Sequence, residues 1–163
     1  MVEIEKKFRL ADLPPRKVLG NGTRIVQAYL FVDEGELRIR HMGDNYYITV
    51  KGAGSVERDE WEESIPEWAF EFLYSKTLDR VVEKTRYSVP HGRFTLEIDD
   101  YGGRHGGLVT MECEFPDLKS IDDFVLPAWV VGAVDVTEDK RYKNKWLATH
   151  GLPIPGHEDQ IPR

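Results

Sequence analysis

Glu3-Ile4-Glu5-Lys6-Lys7 opens the chain with charge on alternate residues, and the same arrangement returns in one segment after another. Side chains on a strand point to opposite faces with a period of two. Glu3, Glu5 and Lys7 therefore share a face, opposite Ile4. Arg38 and Arg40 lie opposite Leu37 and Ile39, and Thr49 and Lys51 lie opposite Ile48 and Val50. Arg58, Glu60 and Glu62 form one face with Trp61 on the other, and Lys84 and Arg86 share a face. Glu97 and Asp99 alternate with Leu96 and Ile98, and Glu112 and Glu114 with Met111, Cys113 and Phe115.

A water-facing row accounts for any one of these strands, because half-buried antiparallel strands alternate in this way. Taken together the rows resist that explanation. They carry charge at nearly every position, where a solvated face mixes in Ser, Thr, Gln and Asn. Like charges recur at i, i+2, where they repel, and an ordinary surface gains nothing from that. Cations gathered around one anionic ligand and carboxylates around a metal ion would make sense of both features. A closed barrel reconciles the pattern, with charged rows facing a wet lumen and apolar rows facing outward. A barrel of about eight strands encloses room for one small ligand.

The remaining sequence is consistent with such a domain. Its 163 residues suit one domain, and no apolar run reaches the ~18 residues of a membrane span. One cysteine, Cys113, excludes an intramolecular disulfide and multi-cysteine metal sites, which points to a reducing cytoplasm. The net charge of −7 disfavours a nucleic-acid-coating protein, although a concentrated basic patch within an acidic shell stays possible. Residues 1–150 are expected to form the domain and residues 151–163, with three prolines, a loose tail.

Strand-like runs span Thr23 to Val32, Glu36 to His41, Tyr46 to Lys51, Arg58 to Ile65, Arg80 to Val89, Arg93 to Asp99 and Leu108 to Phe115. One or two helical turns fit between Pro14-Pro15 and Gly20-Asn21-Gly22. A helix opened by Ser64 or Pro66 would turn Trp68, Phe72 and Leu73 inward. Asp117 or Ser120 would cap a helix holding Ile121, Phe124 and Val125, and a last helix would run from about Glu138 to His150, ended by Gly151. The class is α+β, mainly β: a closed antiparallel barrel with helices packed outside.

These residues resemble one family. Glu3-Ile4-Glu5-Lys6-Lys7 is similar to the Glu-x-Glu-x-Lys signature of the CYTH superfamily, the triphosphate tunnel metalloenzymes. The likeness continues through Gln27-Ala28-Tyr29-Leu30, Glu36-Leu37-Arg38-Ile39-Arg40, Thr49-Val50-Lys51 and Arg58-Asp59-Glu60-Trp61-Glu62. It extends through Glu83-Lys84-Thr85-Arg86-Tyr87, Glu97-Ile98-Asp99 and Glu112-Cys113-Glu114-Phe115 to a C-terminal block from Val136 to Ala148. The resemblance implies an eight-stranded antiparallel tunnel that binds a triphosphate together with Mg²⁺ or Mn²⁺.

By resemblance and by chemistry, Glu3, Glu5, Glu112 and Glu114 are the expected metal ligands, with Glu97 and Asp99 beside them. Glu60 and Glu62 either join them or hold cations in place. Lys7, Arg38, Arg40, Lys51, Arg58, Lys84 and Arg86 are the phosphate-binding candidates. Lys7, Tyr29 and Lys84 are candidates for the reacting end; Tyr29 either works on the attacking water with Lys7 or is a mouth aromatic with a bonded hydroxyl. The expected reaction is in-line attack of an activated water on the terminal phosphorus of inorganic triphosphate or of a nucleoside triphosphate. A class IV adenylate cyclase, a thiamine triphosphatase and a non-catalytic polyphosphate or nucleotide sensor would use the same tunnel. The expected partner is a small-molecule triphosphate without membrane, and a homodimer is compatible with the sequence.

Overall fold

The computed structural model describes residues 4–53 and 59–154. Glu3 and Arg58, and most of the expected tail, lie outside the described residues. Nine antiparallel strands form one sheet in the order β5-β4-β3-β2-β6-β7-β8-β1-β9. They are β1 (Ile4–Leu10), β2 (Thr23–Val32), β3 (Glu36–Met42), β4 (Asn45–Lys51), β5 (Glu60–Ser64), β6 (Val81–His91), β7 (Phe94–Tyr101), β8 (Val109–Phe115) and β9 (Val134–Asp135). The helices are α1 (Arg16–Leu19), α2 (Glu67–Tyr74) and α3 (Asn144–His150). No helix among the described residues is long and apolar enough to cross a membrane.

Local chemistry sets the hairpins. Met42 pairs with Asn45 and His91 with Phe94, so the β3–β4 and β6–β7 loops hold two residues each. Gly43 (φ 59°) and Gly92 (φ 61°) open them in the left-handed region, which a tight hairpin turn demands and a side chain resists.

The expected barrel is met in part. Eight strands of useful length curl so that their charged rows line one cavity, and β9 adds a two-residue ninth through Phe8 and Arg9. The ladder of hydrogen bonds is open: β5 and β9 are its edges, and no pairing joins them among the described residues. The physical reason lies in β5, which has five residues, all exposed, three of them glutamates.

The parity reading places the core outside the sheet. Phe8, Leu10, Leu96, Ile98, Met111, Cys113 and Phe115 form one outer cluster, covered by Leu19 of α1 and by Ile121, Phe124 and Trp129. Val26, Ala28 and Ile39 form another, covered by Phe70 of α2. Cys113 thus packs outward, 1% exposed. A third cluster fills one end of the lumen, where Tyr29, Val82 and Tyr101 meet Val136, Tyr142, Leu147 and Ala148.

Three helix expectations need correction. α2 packs Leu73 inward as expected, but it buries Phe70 and leaves Trp68 and Phe72 exposed, so its inward face is rotated from the expected one. Eight residues hold too few turns for apolar spacing to choose the face, and contact with His41 and Tyr46 decides it. Asp117 caps as expected, accepting from Ser120 N at 2.8 Å, but only a 3-10 turn (Leu118–Ile121) follows. The last helix shrinks to Asn144–His150, because Asp139 captures the amide and guanidinium of Arg141 in a separate turn and Lys143 is extended.

Candidate active site

The inward rows surround a cavity of about 550 Å³. It brings together Glu5, Lys7, Tyr29, Arg38, Arg40, Lys51, Lys84, Arg86, Glu97, Glu112 and Glu114, from seven different strands. All the sequence candidates among the described residues are present except Asp99, which lies beneath the lining at 0% exposure.

One side of the cavity is tightly paired. Lys84 Nζ donates to Asp99 at 2.7 Å, and Arg86 grips the same carboxylate through Nε (2.7 Å) and Nη2 (2.8 Å). Arg86 Nη1 reaches Glu97 at 2.6 Å, and Lys7 meets Glu112 at 2.7 Å. Burial alone would push the Asp99 carboxyl up. The Lys84 charge and the hydrogen bonds from Arg86 outweigh it and hold the group at about 2. Asp99 thus anchors two cations beneath the lining. The Lys84 pKa is lowered as well, but there burial is the larger effect and acts against the pull of Asp99.

The other side is loose. Arg38 meets Glu36 at 3.3 Å, Arg40 meets Glu62 at 3.5 Å, and Lys51 meets Glu60 at 3.8 Å. Glu60 and Glu62 thus stand beside cations, and Glu62 also accepts from the Thr49 hydroxyl at 2.7 Å. The Nε atoms of Arg38 and Arg40 are buried without a hydrogen-bond partner among the described residues. A buried N–H left unsatisfied costs about 1–3 kcal/mol, so these two donors favour a ligand that brings oxygen atoms. Burial and the neighbouring Arg38 lower the pKa of Arg40, yet a guanidinium keeps its charge.

Between the two sides, Tyr29 is 1% exposed and its hydroxyl accepts from Gln27 Nε2 at 2.6 Å. Burial pushes its pKa up to about 12, so near neutral pH the phenol is a donor and not a base.

The carboxylates meet across the strands. Glu5 stands opposite Glu114, and Glu97 opposite Glu112. Like charges in register repel, and a hard divalent cation with carboxylate ligands would remove that repulsion. Burial, together with Asp99, Glu112 and Glu114, raises the pKa of Glu97. No three His, Cys, Asp or Glu side chains among the described residues form a ready-made metal cluster. The donor chemistry nonetheless fits Mg²⁺ or Mn²⁺, and Glu3 lies outside the described residues.

Several lining residues were not singled out in the sequence. Gln27 and Glu36 carry the lumen parity, two residues before Tyr29 and Arg38, and parity alone could have found them. Lys143, Asn144 and Lys145 could not be found that way, since they belong to α3 and the residue before it. Their place depends on the β7–β8 connection. Arg104 donates to the Ala148 carbonyl, His105 Nε2 lies 2.7 Å from the Leu147 carbonyl, and Tyr101 donates to Asn144 at 2.8 Å.

Known proteins are similar to this chain over most of its length. The chain is 40% identical over 159 residues to an inorganic triphosphatase of Nitrosomonas europaea, covering 95% of this chain and 100% of that protein. It is 37% identical over 151 residues to an inorganic triphosphatase of Acetivibrio thermocellus, covering 89% and 92%. A crystal structure of an inorganic triphosphatase superposes with a TM-score of 0.70 at 38% identity, covering 96% of this chain and 98% of that one. The model of the CYTH domain matches residues 1–145. With its charged rows turned into one curled sheet, the chain belongs to the CYTH domain family.

Proposed function

We propose that this chain hydrolyses inorganic triphosphate to diphosphate and orthophosphate in a tunnel formed by the curled sheet, with Mg²⁺ or Mn²⁺ as cofactor. The observation that carries the reading is the pair of buried Nε donors on Arg38 and Arg40, without a partner among the described residues, in one cavity with carboxylates. Cations and carboxylates in a shared lumen are what a polyanion bound with a divalent metal requires. The named relatives add the substrate class.

Arg38, Arg40 and Lys51 would hold the phosphate chain, with Lys7 and Arg86 fixed at the opposite wall by Glu112 and Asp99. Glu5, Glu112 and Glu114, with Glu97 near them, would hold the metal, which would share the phosphate charge and acidify an adjacent water. Lys84, held by Asp99 at 2.7 Å, would supply a fixed positive charge beside the reacting phosphoryl group. Tyr29 keeps its own proton and donates a hydrogen bond to the reacting phosphoryl group. Phosphoryl transfer needs little more than such positioning and charge.

Phosphate release from tripolyphosphate, ATP, thiamine triphosphate and pyrophosphate, each with and without Mg²⁺ or Mn²⁺, tests the reading. Metal-dependent release fastest from tripolyphosphate is expected. Absence of release from all four would sink the proposal, and cyclic AMP from ATP would replace it with a cyclase. Glu114→Gln should slow turnover on the order of 10²-fold, the scale on which one charge-stabilising group acts. Because Glu114 is exposed, its melting temperature should stay near that of the parent. Unchanged turnover at saturating metal would remove Glu114 from the site.

A further inference from the structure

We propose that Arg80 is a positioning residue that aims Tyr29 into the cavity by clamping a bulge in β2. It rests on the assignment of Tyr29 to the reacting end. β2 pairs regularly with β3 from Ile25 opposite Met42 to Tyr29 opposite Arg38, then slips, so that Phe31 faces Leu37 and Leu30 is an extra residue. In a regular strand, successive carbonyls point to opposite sides. Here those of Tyr29 and Leu30 both face one guanidinium, with Arg80 Nε donating to the first at 3.0 Å and Nη2 to the second at 2.6 Å. The Arg80 carbonyl in turn accepts from Tyr29 N at 2.9 Å. Both backbone groups of Tyr29 therefore end on Arg80.

Arg80 reaches the bulge through an unusual turn. Leu78 (φ 52°) and Asp79 (φ 62°) are consecutive non-glycine residues in the left-handed region. Each is strained there and persists only where its surroundings over-determine it. Arg80 N donates to the Thr77 carbonyl at 3.1 Å, and the buried Thr77 hydroxyl donates to the Tyr74 carbonyl at 2.8 Å. The turn thus delivers the guanidinium to the carbonyls of Tyr29 and Leu30 at the bulge. Bulges re-aim side chains beside active sites, and a one-residue slip would turn Tyr29 to the other face. Lysine, a compact single charge, cannot bridge two carbonyls as a planar fork does.

Steady-state kinetics with tripolyphosphate on the parent, Tyr29→Phe, Arg80→Met, Arg80→Lys and the Tyr29→Phe/Arg80→Met double variant test this. Arg80→Met should lower kcat about tenfold with KM little changed, as expected for a small displacement of a reacting group. In the Tyr29→Phe background the same change should alter kcat by less than about twofold, because the residue it positions has lost its function. Losses that multiply in the double variant overturn the proposal. Normal turnover by Arg80→Met beside a slow Tyr29→Phe overturns Arg80 alone. A Tyr29→Phe enzyme as fast as the parent overturns the role of Tyr29 and, with it, this use of Arg80. If Arg80→Met does not fold, Arg80→Lys carries the same cycle.

Discussion

Asp99→Asn is expected to lower the unfolding free energy by about 3–5 kcal/mol, the cost of removing one partner from a buried ion pair. Asp99 is 0% exposed, and its two oxygens receive three donors from Lys84 and Arg86. Asparagine keeps the volume and one acceptor, so packing should survive. What is lost is the charge that lets two cations sit side by side under the cavity floor. Urea denaturation of both proteins at neutral pH measures the difference; a variant within about 1 kcal/mol of the parent would show that Arg86 relaxes fully onto Glu97 and Glu112.

The same carboxylate has a signature in pH. Its folded pKa lies at about 2, below the ordinary aspartate value of about 3.9. A depressed carboxyl pKa contributes stability that is fully present above the unfolded value and is lost as pH falls through the folded one. The parent should therefore lose the Asp99 contribution between about pH 3.9 and 2. The variant should lack that part of the slope. Denaturation curves at several acidic pH values check this, and identical slopes in the two proteins would refute it.

Arg40→Gln should give the largest loss of activity for the least loss of stability. Its nearest carboxylate, Glu62, is 3.5 Å away and keeps a 2.7 Å bond from Thr49 when the arginine is gone. Its Nε donor has no partner among the described residues, so the substitution removes an unsatisfied buried group as well as a charge. The expected fall in kcat/KM for tripolyphosphate is on the order of 10²–10³, as for other donors aimed at developing charge. The melting temperature should move by only a few degrees. A variant with near-parent kcat/KM would take Arg40 out of the phosphate site.

Much of this arrangement is local and so was legible early. Strand parity depends only on a two-residue period, and it placed Glu5, Lys7, Arg38, Arg40, Glu112 and Glu114 on one face before any neighbour was known. Hairpin turns are equally local, which is why Gly43 and Gly92 stand where the strands reverse. The short helices were harder: in α2 the choice between Phe70 and Trp68 rests on what lies opposite, and α3 is placed through contacts from Arg104 and His105 more than forty residues away.

Alternation along a strand is a property of the chain, so parity alone shows which strand side chains share a face. The lumen places of Lys143, Asn144 and Lys145 could not be read that way. Only the tertiary structure decided what each charge does there. Lys84 and Arg86 are spent on Asp99 because β6 and β7 run in a register that sets Arg86 opposite it. Arg38 and Arg40 keep buried Nε donors without a partner among the described residues because β3 lies between β2 and β4, where the facing residues are Tyr29, Gln27, Thr49 and Tyr47 and none is a carboxylate. Charge pairing is set across strands, by a register that no single strand encodes.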